Sequence, residues 1–581
     1  MTSGIRTRFL AAIVLILAAM LFSPDLGRAQ SSAAAALTGR ISSQEEGTME
    51  GVLVTVRKEG SPFTITVASD RQGRYSFPQN RLEPGLYSLN IRAVGYEIDL
   101  VKVEVAAEKA ATADLKLRRT KDLAAQLTDA EWFLSWPGAR EAKMPFFRDP
   151  TYKHFNGCHT IEEMARSRYT PDGFDTVLQR GAGCDDSAVP PARDDAAATR
   201  QDAGGTTRRN VTDETREPFT RKDSEYLSTI NLSKVSKWEY SLKMLPRPAG
   251  RATRMVVTEY DLPRAGAQPH DVVMAPDGMI WYADFGKQFI GKLDPKTAKV
   301  VEYTVPTIRP GHNTGMNNYQ VDEQGNLWIA MFAQAGLAKF DPKTEKFQVW
   351  GLPKELQSSV RRTVFVEARY NAVDGKVWLG GGQEGQNFRV DLKSGNWEVF
   401  DEKSHLLDLP KGARAASRPH ASYSISSDSK NNLYLLDIAS EYIIKVDAKT
   451  LKATYYETPT FNSRVRRGNM DPQDRLWFAE HGANKIGMFD TKTERFQEWE
   501  LPTPFSNPYD AILDKNGDVW TGGMTSDRIA RLNPKTGEIT SYLMPQNTNV
   551  RRVFVDNSTT PVTFWVGNNN KASIVKVEPL D

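Results

Sequence analysis

The sequence predicts a mainly β fold in which residues 251–581 form a seven-bladed β-propeller. Two observations predict it: a unit that repeats from about Met255 onwards, and two ends of that region that complement each other. Each unit contains an apolar strand, a turn with Asp or Asn, and an aromatic residue. Successive aromatic residues lie 43 to 56 residues apart, which fits one four-stranded blade. These residues are Trp281, Trp328, Trp378, Tyr434, Trp477, Trp520 and Trp565.

The two ends of the repeat region predict how the ring closes. The seventh unit stops at residues 576–580 and lacks its outermost strand. The segment Val256–Pro263 precedes the first unit and has the pattern of the missing strand. Pairing these two segments would complete the seventh blade and leave no exposed sheet edge.

The N-terminus has the pattern of a secretory signal peptide. Arg6 and Arg8 precede an apolar run from Phe9 to Phe22, and Ala29 fits the last small residue before a cleavage site. We therefore interpret residues 1–29 as a signal peptide and expect a periplasmic or secreted protein. The alternative is an uncleaved anchor helix, for which the apolar run is short.

The charge distribution argues against nucleic acid as a partner. The formal net charge is +3, and acidic and basic residues are mixed along the chain. No basic field marks a nucleic-acid binder. No later segment is apolar enough to cross a membrane, so we expect no membrane span after signal cleavage. The expected partners are a small-molecule or glycan ligand and, if a haem is present, a periplasmic redox protein.

Residues 37–120 are predicted to form short alternating strands separated by turns. The runs 70–77, 82–87 and 95–97 resemble the carboxypeptidase regulatory-like domain, a small β-sandwich with a carbohydrate-binding-like fold. We expect Gly73 and Gly85 to supply turns, and Tyr75, Phe77 and Tyr87 to fill the core. The resemblance implies a spacer or docking module, with glycan binding as the alternative.

Residues 121–250 have a helical pattern. Thr170 followed by Pro171 predicts a helix start, with Phe174 on its apolar face. A further helix should include Tyr226 and Leu227. Residues 190–222 contain few large apolar residues and predict a mobile loop.

Within the propeller, several units resemble the virginiamycin B (streptogramin) lyase family. The resemblance is carried by Leu476-Trp477-Phe478-Ala479-Glu480-His481-Gly482, by residues 280–294, and by the pairs Pro269-His270 and Pro419-His420. The family opens a cyclic depsipeptide by β-elimination, with a histidine base and a carboxylate-held Mg²⁺. It implies catalytic roles for His420, His270, Glu480 and His481, and metal ligands at Asp284 and Glu480.

This sequence departs from the family pattern at two points. Gln268 stands where the family has a metal-binding Glu, and a carboxamide is a weaker ligand for a hard cation. The two Pro-His blades are also not adjacent. The alternative is that His270, His420 and His481 only cap strands or contact a ligand.

Three Arg-Arg pairs stand where inner strands should begin, after Val360, Val465 and Val550. Since side chains alternate along a strand, we expect one arginine of each pair to face the channel. We predict that Arg361, Arg466 and Arg551, with His312, form a cationic ring for a carboxylate or phosphate. The alternative is that these arginines are paired with nearby Asp and Glu.

Cys158 and Cys184 are the only two cysteines. Phe155-Asn156-Gly157-Cys158-His159 resembles the c-type haem motif with Phe155 in place of the first Cys, and the surrounding helices resemble a cytochrome c domain. The resemblance implies that Cys158 and His159 would hold haem c. The rival is a Cys158–Cys184 disulfide, the default for two cysteines in an oxidising compartment.

Three functions remain open from the sequence. The propeller mouth would bind a small, anionic ligand; it would act as a metal-assisted C–O lyase; or the chain would transfer electrons through a haem.

Overall fold

The computed structural model describes residues 35–139, 143, 161–181, 221–312, 315–322, 324–357, 362–381, 385–401, 422–438 and 440–580, with the backbone alone for 177–181. The predicted signal peptide, residues 1–29, lies outside them. No described helix is long and apolar enough to cross a membrane.

The N-terminal domain consists of two facing groups of strands around one apolar core. In one group β1 is central and pairs with β2, β5, β9 and β10; in the other the order is β4-β3-β6-β8. The strands are β1 Ala35–Ser43, β2 Gly47–Thr48, β3 Leu53–Lys58, β4 Phe63–Ala68, β5 Arg74–Pro78, β6 Gly85–Arg92, β7 Tyr96–Glu97, β8 Val101–Val105, β9 Ala111–Thr112 and β10 Leu115–Arg119.

The core prediction for this domain is confirmed. Tyr75, Phe77 and Tyr87 are all buried in the cluster between the two groups. Gly73 has a φ of 70°, and a Cβ there would meet the carbonyl oxygen of Ile41 at 2.6 Å. A side chain at this turn is therefore excluded by both the backbone conformation and the space.

The helical segment follows. Its helices are α1 Asp129–Ser135, α2 Ile161–Arg166, α3 Pro171–Gly181 and α4 Arg221–Ile230. A capping box between Thr128 and Glu131 begins α1. The predicted start of α3 is confirmed, since Thr170 Oγ1 accepts from Gly173 N at 3.2 Å, and Tyr226 and Leu227 lie in α4 as expected.

One boundary in this segment was wrong. The predicted loop 190–222 lies outside the described residues up to 220, but Arg221 and Lys222 form the first turn of α4. Amino-acid composition did not indicate this turn, because contacts with residues distant in the sequence hold it in place. Arg221 pairs with Asp175 of α3 at 2.7 Å, and Leu227 is buried in the core of the segment.

The remaining strands form successive antiparallel sheets of four, which we call blades 1 to 6, and a closing sheet. Blade 1 contains β12 Pro269–Met274, β13 Ile280–Asp284, β14 Phe289–Leu293 and β15 Val300–Thr304; blade 2 contains β16 Tyr319–Val321, β17 Leu327–Met331, β18 Gly336–Asp341 and β19 Lys346–Gly351; blade 3 contains β20 Phe365–Glu367, β21 Lys376–Gly380, β22 Gln386–Asp391 and β23 Trp397–Asp401, with α5 Asn371–Asp374 between its first two strands.

Blades 4 to 6 repeat the arrangement. Blade 4 contains β24 Ser422–Ser427, β25 Leu433–Asp437, β26 Tyr442–Val446 and β27 Ala453–Glu457; blade 5 contains β28 Val465–Met470, β29 Arg475–Glu480, β30 Lys485–Asp490 and β31 Arg495–Glu500; blade 6 contains β32 Ile512–Leu513, β33 Val519–Gly522, β34 Arg528–Leu532 and β35 Ile539–Leu543. The closing sheet contains β36 Val550–Asp556, β37 Thr563–Asn568, β38 Ser573–Pro579 and β11 Met255–Asp261.

The predicted pairing of the two ends is confirmed. β11 pairs antiparallel with β38 from Met255↔Pro579 to Asp261↔Ser573. The other edge of β11 is also paired, with β4 of the N-terminal domain, from Val256↔Val67 to Tyr260↔Phe63. The result is an eight-stranded sheet that joins the two domains, and Arg57 reinforces the junction through Asp261 at 2.6 Å.

The helical segment contacts blade 6. Ala130 N donates to the Thr525 carbonyl oxygen at 2.8 Å, and the rings of Phe133 and Phe505 stack with centroids 5.6 Å apart. Phe505 thereby belongs to the apolar core of the helical segment.

Candidate functional site

A β-bulge marks the start of the first strand in four blades. In β12, β28 and β36, two residues of the inner strand oppose one residue of its neighbour, and β24 also has one extra residue. A bulge leaves an extra residue unpaired, so that the side chains around it no longer alternate strictly between the two faces of the sheet. The bulged residues are His270 and Asp271, Tyr423, Arg466 and Arg467, and Arg551 and Arg552.

This local geometry corrects the expectation that one arginine of each pair faces the channel. Arg466 and Arg467 are both buried inside the ring, at 1% and 4% exposure. The bulge between Val465 and Gly468 breaks the alternation on which the expectation rested. We call the face on which these inner strands begin the mouth.

Asp271 lies at the centre of a buried ion network, which we call the axial cluster: Asp271, Arg467, Arg552 and Asn318. Arg467 donates to both carboxylate oxygens, at 2.8 and 2.7 Å. Arg552 donates at 3.0 Å and Asn318 at 2.8 Å. Burial by itself would raise the pKa of Asp271, but the two guanidiniums outweigh it and hold the pKa well below its ordinary value.

The axial cluster connects different sides of the ring. Asp271 comes from blade 1, Asn318 from the start of blade 2, Arg467 from blade 5 and Arg552 from the closing sheet. One buried carboxylate thus joins four sheets across the axis. Because each charge has a partner, the cluster stabilises the closed ring only while it is complete.

His270 extends the network towards the mouth. Its Nδ1 lies 2.9 Å from Asp271 Oδ1, and its Nε2 lies 3.2 Å from the Tyr509 hydroxyl. Burial lowers the pKa of His270 to about 4, so the ring is neutral at pH 7. Since ionised Asp271 can only accept, Nδ1 donates to it and Nε2 accepts from Tyr509. The Tyr509 hydroxyl lies 2.6 Å from that of Tyr423.

Arg466 lies beside this chain of hydrogen bonds. Its guanidinium stacks on the rings of Tyr423 and Tyr509, 4.7 and 4.5 Å from their centroids. Its Nη1 lies 3.3 Å from His481 Nε2, and His481 Nε2 lies 3.3 Å from Asn507 Nδ2. Arg466 Nε has no hydrogen-bond partner, and among the described residues no carboxylate lies within ion-pair distance of this side chain. Arg466 is therefore a buried cation whose Nε–H group donates to no protein acceptor.

Arg551 is the second cation at the mouth. It is half-buried and stacks on Phe285 at 5.6 Å. With the Asn569 amide turned so that its oxygen faces the guanidinium, that oxygen accepts from Arg551 Nε at 2.9 Å. The described contacts of Arg551 include no carboxylate. We call Arg466 and Arg551 the mouth arginines.

Three guanidiniums converge on one phenol. Burial raises the pKa of Tyr509 well above its ordinary value, and Arg466, Arg467 and Arg551 act in the opposite direction. Only Arg467 has its charge balanced by Asp271. The surroundings of Tyr509 therefore carry an excess of positive charge.

The comparisons with known proteins agree with this architecture. Residues 412–580 match the model of the Virginiamycin B lyase family. Residues 36–118 match that of the Carboxypeptidase regulatory-like domain. Together they support a propeller that is similar to the lyase family, preceded by an N-terminal carboxypeptidase regulatory-like domain. Residues 121–250 lie outside both matches, and no curated protein matches the chain.

Solved structures are similar at low identity. A streptogramin B lyase is 20% identical, covering 57% of this chain and 99% of that one, with a TM-score of 0.47. A virginiamycin B lyase from Staphylococcus aureus is 18% identical, covering 56% and 99%, with a TM-score of 0.46.

The two predicted metal ligands differ: protein contacts hold Asp284, whereas both carboxyl oxygens of Glu480 are buried without a hydrogen-bond partner. Asp284 pairs with Arg264 and accepts from Gly286 N at 2.9 Å. Burial raises the pKa of Glu480 to about 9, with the nearby Glu498 carboxylate adding to the effect, so Glu480 is neutral at pH 7. No three His, Cys, Asp or Glu side chains of the described part of the chain cluster tightly enough to hold a metal. Mg²⁺ prefers ionised oxygen ligands, and Asp284 is already paired with Arg264.

The other predicted site residues are dispersed. His312 is exposed and contacts Arg309 and Gln334. Outside the described residues lie Arg361, His420, Cys158, His159 and Cys184. The haem and the disulfide therefore stay predictions.

Sequence reasoning missed Asp271, Arg467, Arg552, Tyr423 and Tyr509. A signal existed for the first three, since Asp271 follows the Pro-His pair directly and both arginines belong to pairs already noted. Nothing local distinguishes Tyr423 or Tyr509, because their importance arises from contacts between blades 4, 5 and 6.

Proposed function

We propose that this chain is an exported protein whose seven-bladed propeller binds a small anionic ligand at its mouth. Six blades and the closing sheet, each of four strands, support the count of seven. The mature chain would be periplasmic or secreted, as the N-terminal signal pattern predicts.

Arg466 carries this proposal. Removing a guanidinium from water costs several kcal/mol unless an anion compensates it. Stacking on an aromatic ring returns about 2 kcal/mol when the pair is desolvated. The two tyrosine rings therefore offset part of the cost, and a bound anion would offset the rest.

The same surroundings supply further recognition groups. Arg466 Nε points to no protein acceptor, Arg551 adds a second guanidinium, and His481 and Asn507 lie next to the first. Two guanidiniums suit a carboxylate or a phosphate, whose oxygens accept paired N–H donors. Neutral Glu480 does not oppose an anion.

The test is a calorimetric titration of the full chain with acetate and with inorganic phosphate at low ionic strength. We expect saturable binding of at least one of them that weakens as salt is added. Arg466→Gln should abolish it, whereas Arg495→Gln, at an exposed position on the outer strand of the same blade, should not. Absence of binding to the unmodified chain, or equal binding by both variants, would overturn the proposal.

A second candidate is a C–O lyase, favoured by the family match over residues 412–580. A base would take the proton from the carbon α to a carbonyl. The Cβ–O ester bond would then break, the carboxylate would leave, and a double bond would form between Cα and Cβ. His270 is neutral at pH 7, and its Nε2, which accepts from the Tyr509 hydroxyl in the structure, is the atom that would take the proton. A cyclic depsipeptide substrate should then give a ring-opened product of unchanged mass; an unaltered substrate would exclude this candidate.

A further inference from the structure

The mouth contains a continuous series of aromatic rings. Consecutive centroids are 5.2 to 6.0 Å apart, and the rings come from blades 1, 2, 3, 4 and 6. In order they are Phe332, Phe285, His270, Tyr509, Tyr423 and Phe365, which we call the aromatic arc.

At least one arginine of each Arg-Arg pair stacks on this arc. Arg362 lies over Phe332 at 5.1 Å, Arg467 over Phe365 at 5.1 Å, and Arg551 over Phe285 at 5.6 Å. Arg466 lies over both tyrosines. A stacked guanidinium has its faces covered, while its N–H groups remain available at its edge. The arc therefore holds the cations, and Arg466 keeps an Nε–H group that has no protein acceptor.

The rings of the arc favour an anion that carries an apolar group over a simple inorganic anion. A hydrated inorganic anion would use only the guanidinium edges. An anion attached to a planar apolar body would also contact rings such as Phe285 and Phe332, the two least buried rings of the arc at 7% and 8% exposure. Aromatic pairs contribute about 0.5–1.5 kcal/mol beyond the area they bury.

From this arrangement, and resting on the proposed anion site, we infer that the ligand is an aromatic carboxylate. Its carboxylate would bind the mouth arginines and its ring would pack on the aromatic arc at Phe285. The two elements of recognition are adjacent, because Arg551 lies over Phe285 at 5.6 Å.

The test compares benzoate, acetate and benzamide by calorimetry on the full chain. We expect benzoate to bind at least about tenfold tighter than acetate, and benzamide, which lacks the charge, to bind undetectably. Equal affinities for benzoate and acetate would overturn this inference and leave the anion site standing. Binding of neither anion would overturn the proposed function itself, and equal binding of benzamide and benzoate would overturn both.

A substitution at Phe285 tests which ring is responsible for the preference for benzoate over acetate. Phe285→Leu should reduce the preference for benzoate over acetate to less than threefold while acetate affinity is retained. Phe347→Leu, on the outer strand of blade 2, should keep the full preference. A preference that survives Phe285→Leu unchanged would contradict the assignment of the ring to this part of the arc.

Discussion

The two arginine populations inside the ring differ in what balances their charge. Arg467 and Arg552 point to the axis and share Asp271. Arg466 and Arg551 immediately precede them in the chain, yet they stack on aromatic rings and contact no described carboxylate. We therefore propose different roles for neighbouring residues of one type: the axial arginines would stabilise the fold, and the mouth arginines would bind a ligand.

Loss of Asp271 should have the largest effect. Asp271→Asn keeps the side-chain shape but removes the carboxylate to which the buried Arg467 and Arg552 both donate. We expect a loss of about 3–5 kcal/mol in the free energy of unfolding, measured by urea titration. Asp277→Asn, at an exposed turn, should change it by less than about 0.5 kcal/mol. Similar losses in both variants would contradict the structural role of the axial cluster.

The axial cluster also predicts a response to acid. Because the pKa of Asp271 is depressed in the folded protein, its contribution is present above its ordinary pKa of about 4 and is lost as pH falls below that value. The urea midpoint of the unmodified chain should fall in this range more steeply than that of Asp271→Asn.

Exchanging one arginine at a time compares the two populations directly. Arg467→Met leaves Asp271 with a single guanidinium, and we expect a loss of about 3 kcal/mol in the free energy of unfolding. Arg466→Met removes an uncompensated buried charge, so it should leave stability unchanged or raise it by about 1 kcal/mol while abolishing anion binding. The reverse order of stabilities would remove the distinction between the two populations.

A variant of Glu480 tests whether this carboxyl group is charged, and so whether it could balance the charge of Arg466. The folded pKa of about 9 lies above the ordinary value, so the contribution of Glu480 is full below about 4.5 and is lost as pH rises towards 9. In Glu480→Gln this loss disappears. The variant should gain stability relative to the unmodified chain over that range, by up to about 1.4 kcal/mol per pH unit.

Two further measurements complete this comparison. Anion affinity at pH 7 should be the same in Glu480→Gln as in the unmodified chain. Glu500→Gln, exposed on the neighbouring outer strand, should show no pH-dependent difference. Tighter anion binding in Glu480→Gln would mean that Glu480 carries a charge that competes with the ligand.

Arg551 should give the smallest change in stability. It is half-buried, and its described partners are an amide and an aromatic ring. Arg551→Gln should alter the free energy of unfolding by less than about 0.5 kcal/mol and weaken anion binding less than Arg466→Gln does, in the same calorimetric titration. A large loss of stability would place Arg551 with the axial arginines.

The regular parts of the molecule could be predicted from the sequence. Repeated aromatic residues such as Trp281 and Trp477 indicated the strands, and the spare segment at Val256–Pro263 indicated its pairing with the C-terminal strand, which the register confirms. The same analysis did not indicate that β11 also pairs with β4, since an edge strand has the same pattern whether or not its second edge is covered.

The candidate site could be predicted only in part. The histidines and arginines of the site were identifiable as types, but alternation assigned the wrong number of arginines to the interior at 466–467 because a one-residue bulge is not visible in a hydrophobic pattern. Glu480 and Asp284 read as metal ligands, whereas burial neutralises one and Arg264 pairs with the other.

The sequence by itself determined the repeat, the order of the domains and the residue types available at each inner strand. Those are local properties, since the periodicity of side chains follows from the geometry of one strand. Only the tertiary structure decided which arginine meets Asp271 and which meets Tyr423 and Tyr509. The partners come from blades far apart in the chain, and the charge of a buried group depends on everything packed around it.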